Sequence, residues 1–234
     1  MDAVSRSLNF DLLATPYKWL EYLSFGHALE RCRFYFLPDL KDARRALVLG
    51  DGDGRFLARL LAINPLLEAD VVDISPAMLR LLEARLTQDQ RERVTLHQAD
   101  VRAFSPPEKP YDLVVTHFFL DCLFPTELVA LVGRVTPRFA TDARWVISEF
   151  SLPRSQPGAA MGKLLISGLY RVFGITTGLR VRALPDHASA LKEVGLFTID
   201  ERRWLGGLLL SQLWQHNSAQ SMQPSAYELP HTRE

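Results

Sequence analysis

The sequence predicts an α/β fold, a mainly parallel sheet with helices packed on both faces. Three observations carry that expectation. Short apolar runs alternate with helix-period segments between residues 46 and 150. The first junction, ALVLGDGDGRFLARL (46–60), passes from a strand through three alternating glycines into a helix. Near the C-terminus, FTIDERRWL and LLLSQLW are separated by Gly206-Gly207, a hairpin signal that makes the final strand antiparallel to its neighbour.

The elements follow in order. Residues 9–37, rich in aromatics, form a helical region that Pro16 restarts and Gly26 divides. A strand is expected at 46–50, then a helix at 54–63 with Phe56, Leu60 and Ile63 on one face, ended by Asn64-Pro65. A strand at 69–73 leads through Ser75-Pro76, an N-cap and first-turn pair, into a helix at 76–86. RVTLHQ and YDLVVTH are the next strands, followed by a helix at 126–135 and the strand RWVISEF at 144–150. After Gly158 a helix runs to Phe173, and Asp186 caps a short helix ending at Gly195. Residues from 216 onward are polar and aperiodic. The expected organisation is a helical cap or lid at 1–45, a main domain at 46–215 with a lid-like insertion at 151–183, and a tail at 216–234.

Composition narrows the function classes. The 234 residues suffice for one substantial core, and 47% hydrophobic with 23% charged residues is ordinary for a globular protein. A formal net charge of +0 gives no global field for nucleic acid or an anionic membrane, so neither is an expected partner. Arg80, Arg85, Arg91 and Arg93 read as the solvated face of a helix and its following turn. Cys32 and Cys122, with no CxxC, argue against a disulfide scaffold, a cysteine zinc site and a redox motif. MDAVSRSLNF lacks a signal pattern and LLISGLYRVFGI is too short to cross a bilayer, so the expected compartment is the cytoplasm, as a monomer or homodimer.

The glycine loop points to a ligand. Glycine lets the backbone turn tightly and approach a bound group, and a helix N-terminus offers free N–H donors. Gly50, Gly52 and Gly54 therefore suit a cofactor lying across the turn beyond the strand ends. Asp73 closes the second strand, where a carboxylate can accept from both hydroxyls of a ribose. Asp100 stands in the same relation to the third strand and can accept from an adenine amino group, with Val101 or Phe104 covering the base. NAD would require GxGxxG, and the third position is Arg55 or Leu57 in the two possible registers. The final antiparallel hairpin also suits a dinucleotide fold poorly.

Taken together, ALVLGDGDGRF, VVDISPAML, QADV and YDLVVTHFFLDCL resemble, in order and spacing, the successive motifs of class I S-adenosylmethionine-dependent methyltransferases. The resemblance spans 46–214. Less specifically, FDLLATPYKWLEYLSFG is similar to the helical lead-in of ubiquinone and menaquinone biosynthesis methyltransferases. The family implies a Rossmann-like, seven-stranded sheet with an antiparallel last strand, helices on both faces and an N-terminal helical cap. It implies S-adenosylmethionine as cofactor and S-adenosylhomocysteine as product. Gly50, Asp51, Gly52 and Gly54 would flank the methionine part, Asp73 with Ile74 the ribose, Asp100 with Val101 the adenine, and Thr116-His117 the sulfonium. In one departure, the family's loop usually opens with an acid two positions before its glycine. Here that position is Gly50, and the side chain of the neighbouring Asp51 points elsewhere.

Methyl transfer from a sulfonium needs a base only if the acceptor must lose a proton. The candidate catalytic residues are His117 and Asp121, an i, i+4 pair if the segment is helical, in which an Asp-oriented imidazole would titrate near neutral pH. The alternative is that the two merely tie down the loop. His187 is a weaker candidate in the first turn of a surface helix. Tyr17, Tyr22, Phe118 and Tyr170 are candidates for an apolar acceptor pocket, which favours a small-molecule acceptor. No metal site is expected. The competing functions are a non-catalytic protein that binds S-adenosylmethionine or S-adenosylhomocysteine, and an NAD-dependent oxidoreductase.

Overall fold

The computed structural model describes residues 27–151 and 186–217. Expectations for the first 26 residues, for 152–185 and for the tail from 218, with Tyr17, Tyr22 and Tyr170 among them, lie outside the described residues.

Seven strands form one sheet: β1 (Arg45–Leu49), β2 (Glu68–Asp73), β3 (Val94–Gln98), β4 (Tyr111–His117), β5 (Phe139–Phe150), β6 (Leu196–Trp204) and β7 (Leu209–His216). Their spatial order is β3-β2-β1-β4-β5-β7-β6. The first five are parallel, while β7 runs antiparallel to both β5 and β6. The Gly206-Gly207 hairpin makes the final strand antiparallel to its neighbour, as the sequence predicts, and the structure inserts it between β5 and β6. The order reverses at β1, so β1 and β4 leave a crevice beyond their C-terminal ends where such sheets bind ligands.

Helices α1 (His27–Phe34), α2 (Arg55–Ile63), α3 (Pro76–Arg85), α4 (Gln88–Arg91), α5 (Pro125–Val135) and α6 (His187–Glu193) flank the sheet. Two apolar clusters divide between its faces. One joins Val48, Val71, Leu113 and Val115 to α2 and α3; the other joins Leu47, Val114, Trp145 and Trp214 to α5 and α6. The alternation of neighbouring strand residues between clusters is the period-two geometry of a sheet buried on both faces.

Local signals explain most boundaries. Ser75 caps α3 by accepting from the Met78 N–H at 3.3 Å, with Pro76 behind it. In α2 the buried stripe is Phe56, Leu57, Leu60 and Leu61, each contributing about 1.5–3 kcal/mol on full burial. Ile63, expected on that face, is exposed, because the helix ends there and Asn64 turns inward to donate to the Leu40 and Ala43 carbonyls. β5 begins five residues earlier than RWVISEF suggests. A left-handed Asp142 (φ 58) and a register irregularity absorb a segment with little strand character. Arg80, Arg85 and Arg91 are exposed, as expected, with Arg85 pairing with Asp53; Arg93 departs, half-buried and donating to the Leu61, Asn64 and Leu67 carbonyls.

Candidate active site

The crevice is built outward from the glycine loop. Gly50 leaves β1 and donates to the Val72 carbonyl at 3.0 Å, tying the loop to β2. All three glycines have left-handed φ: 66° at Gly50, 62° at Gly52 and 73° at Gly54. A side chain at Gly50 would overlap the ring of Phe119, and one at Gly54 would overlap Leu82. At Gly52, by contrast, no atom lies within 4 Å of where a Cβ would stand. The loop is gripped at its ends and leaves a cradle at its middle. Gly50 stands where the family's loop usually carries an acid, and on this backbone a side chain there would be strained and would have to displace the Phe119 ring.

Asp51 is buried beneath the loop, where its Oδ2 accepts from the Leu57 N–H at 3.1 Å in the first turn of α2. Its Oδ1 is buried with no partner, and burial pushes its pKa up to about 7 against the pull of Arg33. Asp73 ends β2 beside the cradle. Its carboxylate accepts from the Ser75 N–H at 2.8 Å and is also held by the N–H groups of Gly52 and Ile74, while burial raises its pKa to about 6. Ile74 is exposed next to it.

Asp100 follows β3, but its carboxylate is held by Arg102, at 2.6 Å from the guanidinium and 2.9 Å from the backbone N–H. That pairing keeps its pKa below the usual range, and an adenine amino group would share the carboxylate with Arg102. Val101 is buried in the second core cluster, with the half-buried Phe104 against it.

At the end of β4 one expectation is corrected, the helical pairing of His117 with Asp121. The Thr116 side chain is sealed in the core, where its hydroxyl accepts from the Trp145 indole at 3.0 Å, so only its backbone can meet a ligand. Thr116→Val is expected to destabilise the protein by about 1–3 kcal/mol in urea unfolding, since it strands that N–H. The segment after His117 is not helical. Phe118 is left-handed (φ 53) and a short 3-10 turn, Leu120–Cys122, follows. His117 and Asp121 therefore do not pair, and both ring nitrogens of His117 are buried without partners. Burial and the nearby Arg33 charge hold His117 well below its ordinary pKa, so the imidazole is neutral, packed edge-on to Phe56 at 4.3 Å. His187, the weaker candidate, bonds Gln212 at 2.9 Å.

Two residues that sequence reasoning missed organise this end of the crevice. Glu149, on β5, accepts from the N–H groups of Phe119 at 3.0 Å and Leu120 at 2.7 Å, fixing the loop after β4. Its burial and the adjacent Asp121 carboxylate hold its pKa well above the usual range. An acid closing an apolar strand, as in ISEF, was the available signal. Arg33, on α1, is buried with its guanidinium 5.5 Å from the centre of the Phe118 ring. α1 is anchored there by Cys32, whose thiol donates to the Leu210 carbonyl and whose carbonyl accepts from Ser148. No local sequence signal marks Arg33.

Residues 47–142 match the family model described as a methyltransferase domain. Over that segment, under half of its length, the chain is similar to methyltransferase domains. Its fold is that of solved methyltransferases. The mitomycin 7-O-methyltransferase MmcR matches with a TM-score of 0.64 at 16% identity, covering 92% of this chain and 62% of that one. The N-methyltransferase NodS from Bradyrhizobium japonicum, in complex with S-adenosylhomocysteine, matches with a TM-score of 0.55 at 17% identity, covering 81% and 88%. A curated relative, polyamine aminopropyltransferase 2 of Bacillus cereus, is 27% identical over 130 residues, 50% of this chain and 34% of its own length. Among the described residues there is no group of three His, Cys, Asp or Glu side chains placed for a metal, and no helix long and apolar enough to cross a membrane.

Proposed function

We propose that the protein transfers a methyl group from S-adenosylmethionine to a small, largely apolar or aromatic acceptor. The observation that carries this reading is Asp73, a carboxylate at the end of β2 bonded to the Gly52 N–H beside the cradle at Gly52. A ribose there would find its acceptor, and the rest of the cofactor an unobstructed loop. The orphaned polar atoms of Asp51 and His117 fit a ligand that brings hydrogen-bonding groups of its own. The domain match and the S-adenosylhomocysteine-bound NodS support the same cofactor.

When bound, the sulfonium supplies an activated methyl whose thioether leaving group needs no protonation. The chain contributes position and dryness. Phe118, Phe150 and the Arg33 stem line the β4–β5 end, a surface suited to an apolar acceptor. A neutral His117 without a carboxylate partner is a weak base, which favours an acceptor that is already nucleophilic. Arg55 and Leu57 begin α2 where NAD would need glycine, which speaks against the oxidoreductase reading.

Calorimetric titration with S-adenosylmethionine, S-adenosylhomocysteine and NAD tests this. The two adenosyl ligands are expected to bind in the micromolar range and NAD not at all. Asp73→Ala should weaken them about 100-fold. Affinity should also fall as pH drops through about 6, where Asp73 takes up a proton and stops accepting. Binding of NAD alone, or an unaffected Asp73→Ala, would overturn the reading.

A further inference from the structure

We propose that Arg102 takes Asp100 out of base recognition, so that the adenosyl site accepts its purine without reading the exocyclic amino group. This rests on the adenosyl reading above and concerns only the base end of that site.

Asp100 stands in the turn after β3, where a base would meet the sheet. An ionised carboxylate has about four lone-pair positions, two on each oxygen. Three N–H groups of Arg102 make four contacts with Asp100, two on each oxygen. Oδ1 accepts from the Arg102 backbone N–H at 2.9 Å and from its Nε at 2.9 Å. Oδ2 accepts from the same Nε at 3.0 Å and from Nη2 at 2.6 Å. To share this carboxylate, an adenine amino N–H has to displace a donor already in place.

That exchange is unfavourable. A hydrogen bond between two ions is roughly twice as strong as one with a neutral partner, and the adenine amino group is neutral. The two side chains are 41% and 35% exposed, and an isolated ion pair at such exposure adds little. This pair is not isolated. The Arg102 guanidinium also meets Glu127 in the first turn of α5, with Nη1 3.6 Å from Oε1. Glu127 is itself fixed, accepting from the Phe124 N–H at 2.9 Å. The turn is closed by the Ala103 and Phe104 N–H groups, which both donate to the Asp100 carbonyl at 2.9 Å. From α5, Arg134 donates to the Val101 carbonyl at 2.9 Å. Moving the guanidinium aside therefore breaks contacts to the turn and to α5 at once. What remains for the base is shape, set by the buried Val101 and the half-buried Phe104.

The test is calorimetry with S-adenosylhomocysteine and its purine analogue, in which hydrogen replaces the amino group of the base. In the wild type the two should bind within about threefold of each other. If Asp100 accepted from the amino group, the analogue would be weaker by about 10–100-fold. Arg102→Met removes the guanidinium and frees Oδ2, so in that variant S-adenosylhomocysteine should bind at least about tenfold more tightly than the analogue. Each ratio is taken within one protein, so a general loosening of the turn does not move it, and the wild-type ratio needs no variant to fold. A wild-type preference of about tenfold or more for the amino ligand overturns the inference while leaving the adenosyl site standing. So does an Arg102→Met protein that gains no preference. If neither ligand binds the wild type, the site reading fails and this inference fails with it.

Discussion

Replacing Glu149 with alanine should destabilise the protein by about 2–4 kcal/mol, whereas glutamine should cost less than about 1 kcal/mol. The reason is the pair of N–H groups that Glu149 accepts, from Phe119 and Leu120, in a region without access to water. Alanine leaves both donors stranded and opens a void. Glutamine keeps an accepting oxygen in place and sets its amide N–H beside Asp121, the carboxylate whose charge raises the Glu149 pKa. Urea unfolding of the two variants measures the difference, and alanine no more harmful than glutamine would sink this account.

The same residue predicts a pH dependence whose sign can be worked out. Burial first, and then Asp121, raises Glu149 in the folded state, so the folded protein holds that proton more tightly than the unfolded chain does. Stability from this group is complete below the unfolded value of about 4.3 and is lost as pH rises from there through the folded pKa. Glu149→Gln cannot ionise. Its stability relative to the wild type should therefore rise between about pH 5 and pH 8, and a difference that falls over that range would contradict the assignment.

What the sequence revealed was set by how local each cause is. The strands β1 to β4 and the caps of α3 and α6 follow from apolar runs and single capping residues, and they fall within a residue or two of expectation. The start of β5 does not, because only pairing with Tyr111 on β4 recruits Phe139 into the sheet. The candidate site divides in the same way. Asp73 was visible because its distance from the glycine loop is fixed by one helix and one strand. The His117–Asp121 pairing was misread because i, i+4 spacing has meaning only on a helix, and a left-handed Phe118 breaks the segment. Asp121 instead faces Glu149, a neighbour supplied by the β4–β5 pairing. Arg33 reaches the strand ends only because α1 is bonded to β5 and β7, a tertiary fact with no trace in the residues around it.

Alanine at Gly50 is expected to cost about 2–5 kcal/mol and to abolish detectable cofactor binding. Two terms contribute. A side chain at φ 66 adds about 1–2 kcal/mol of backbone strain. The Cβ would also overlap the Phe119 ring, and such overpacking costs about 1–3 kcal/mol. Phe119 cannot retreat freely, since its N–H is fixed on Glu149, so the disturbance passes to the loop beyond β4. Alanine at Gly52 isolates the terms. Its φ of 62 brings the same strain, yet its Cβ meets no atom within 4 Å. Gly52→Ala should lose only about 1–2 kcal/mol of stability, while its methyl group stands in the cradle and weakens S-adenosylhomocysteine at least about tenfold. Thermal unfolding and calorimetry on both variants test the pair. Wild-type affinity in Gly52→Ala would mean that the ligand does not cross the loop, and equal stabilities would mean that Phe119 does not grip Gly50.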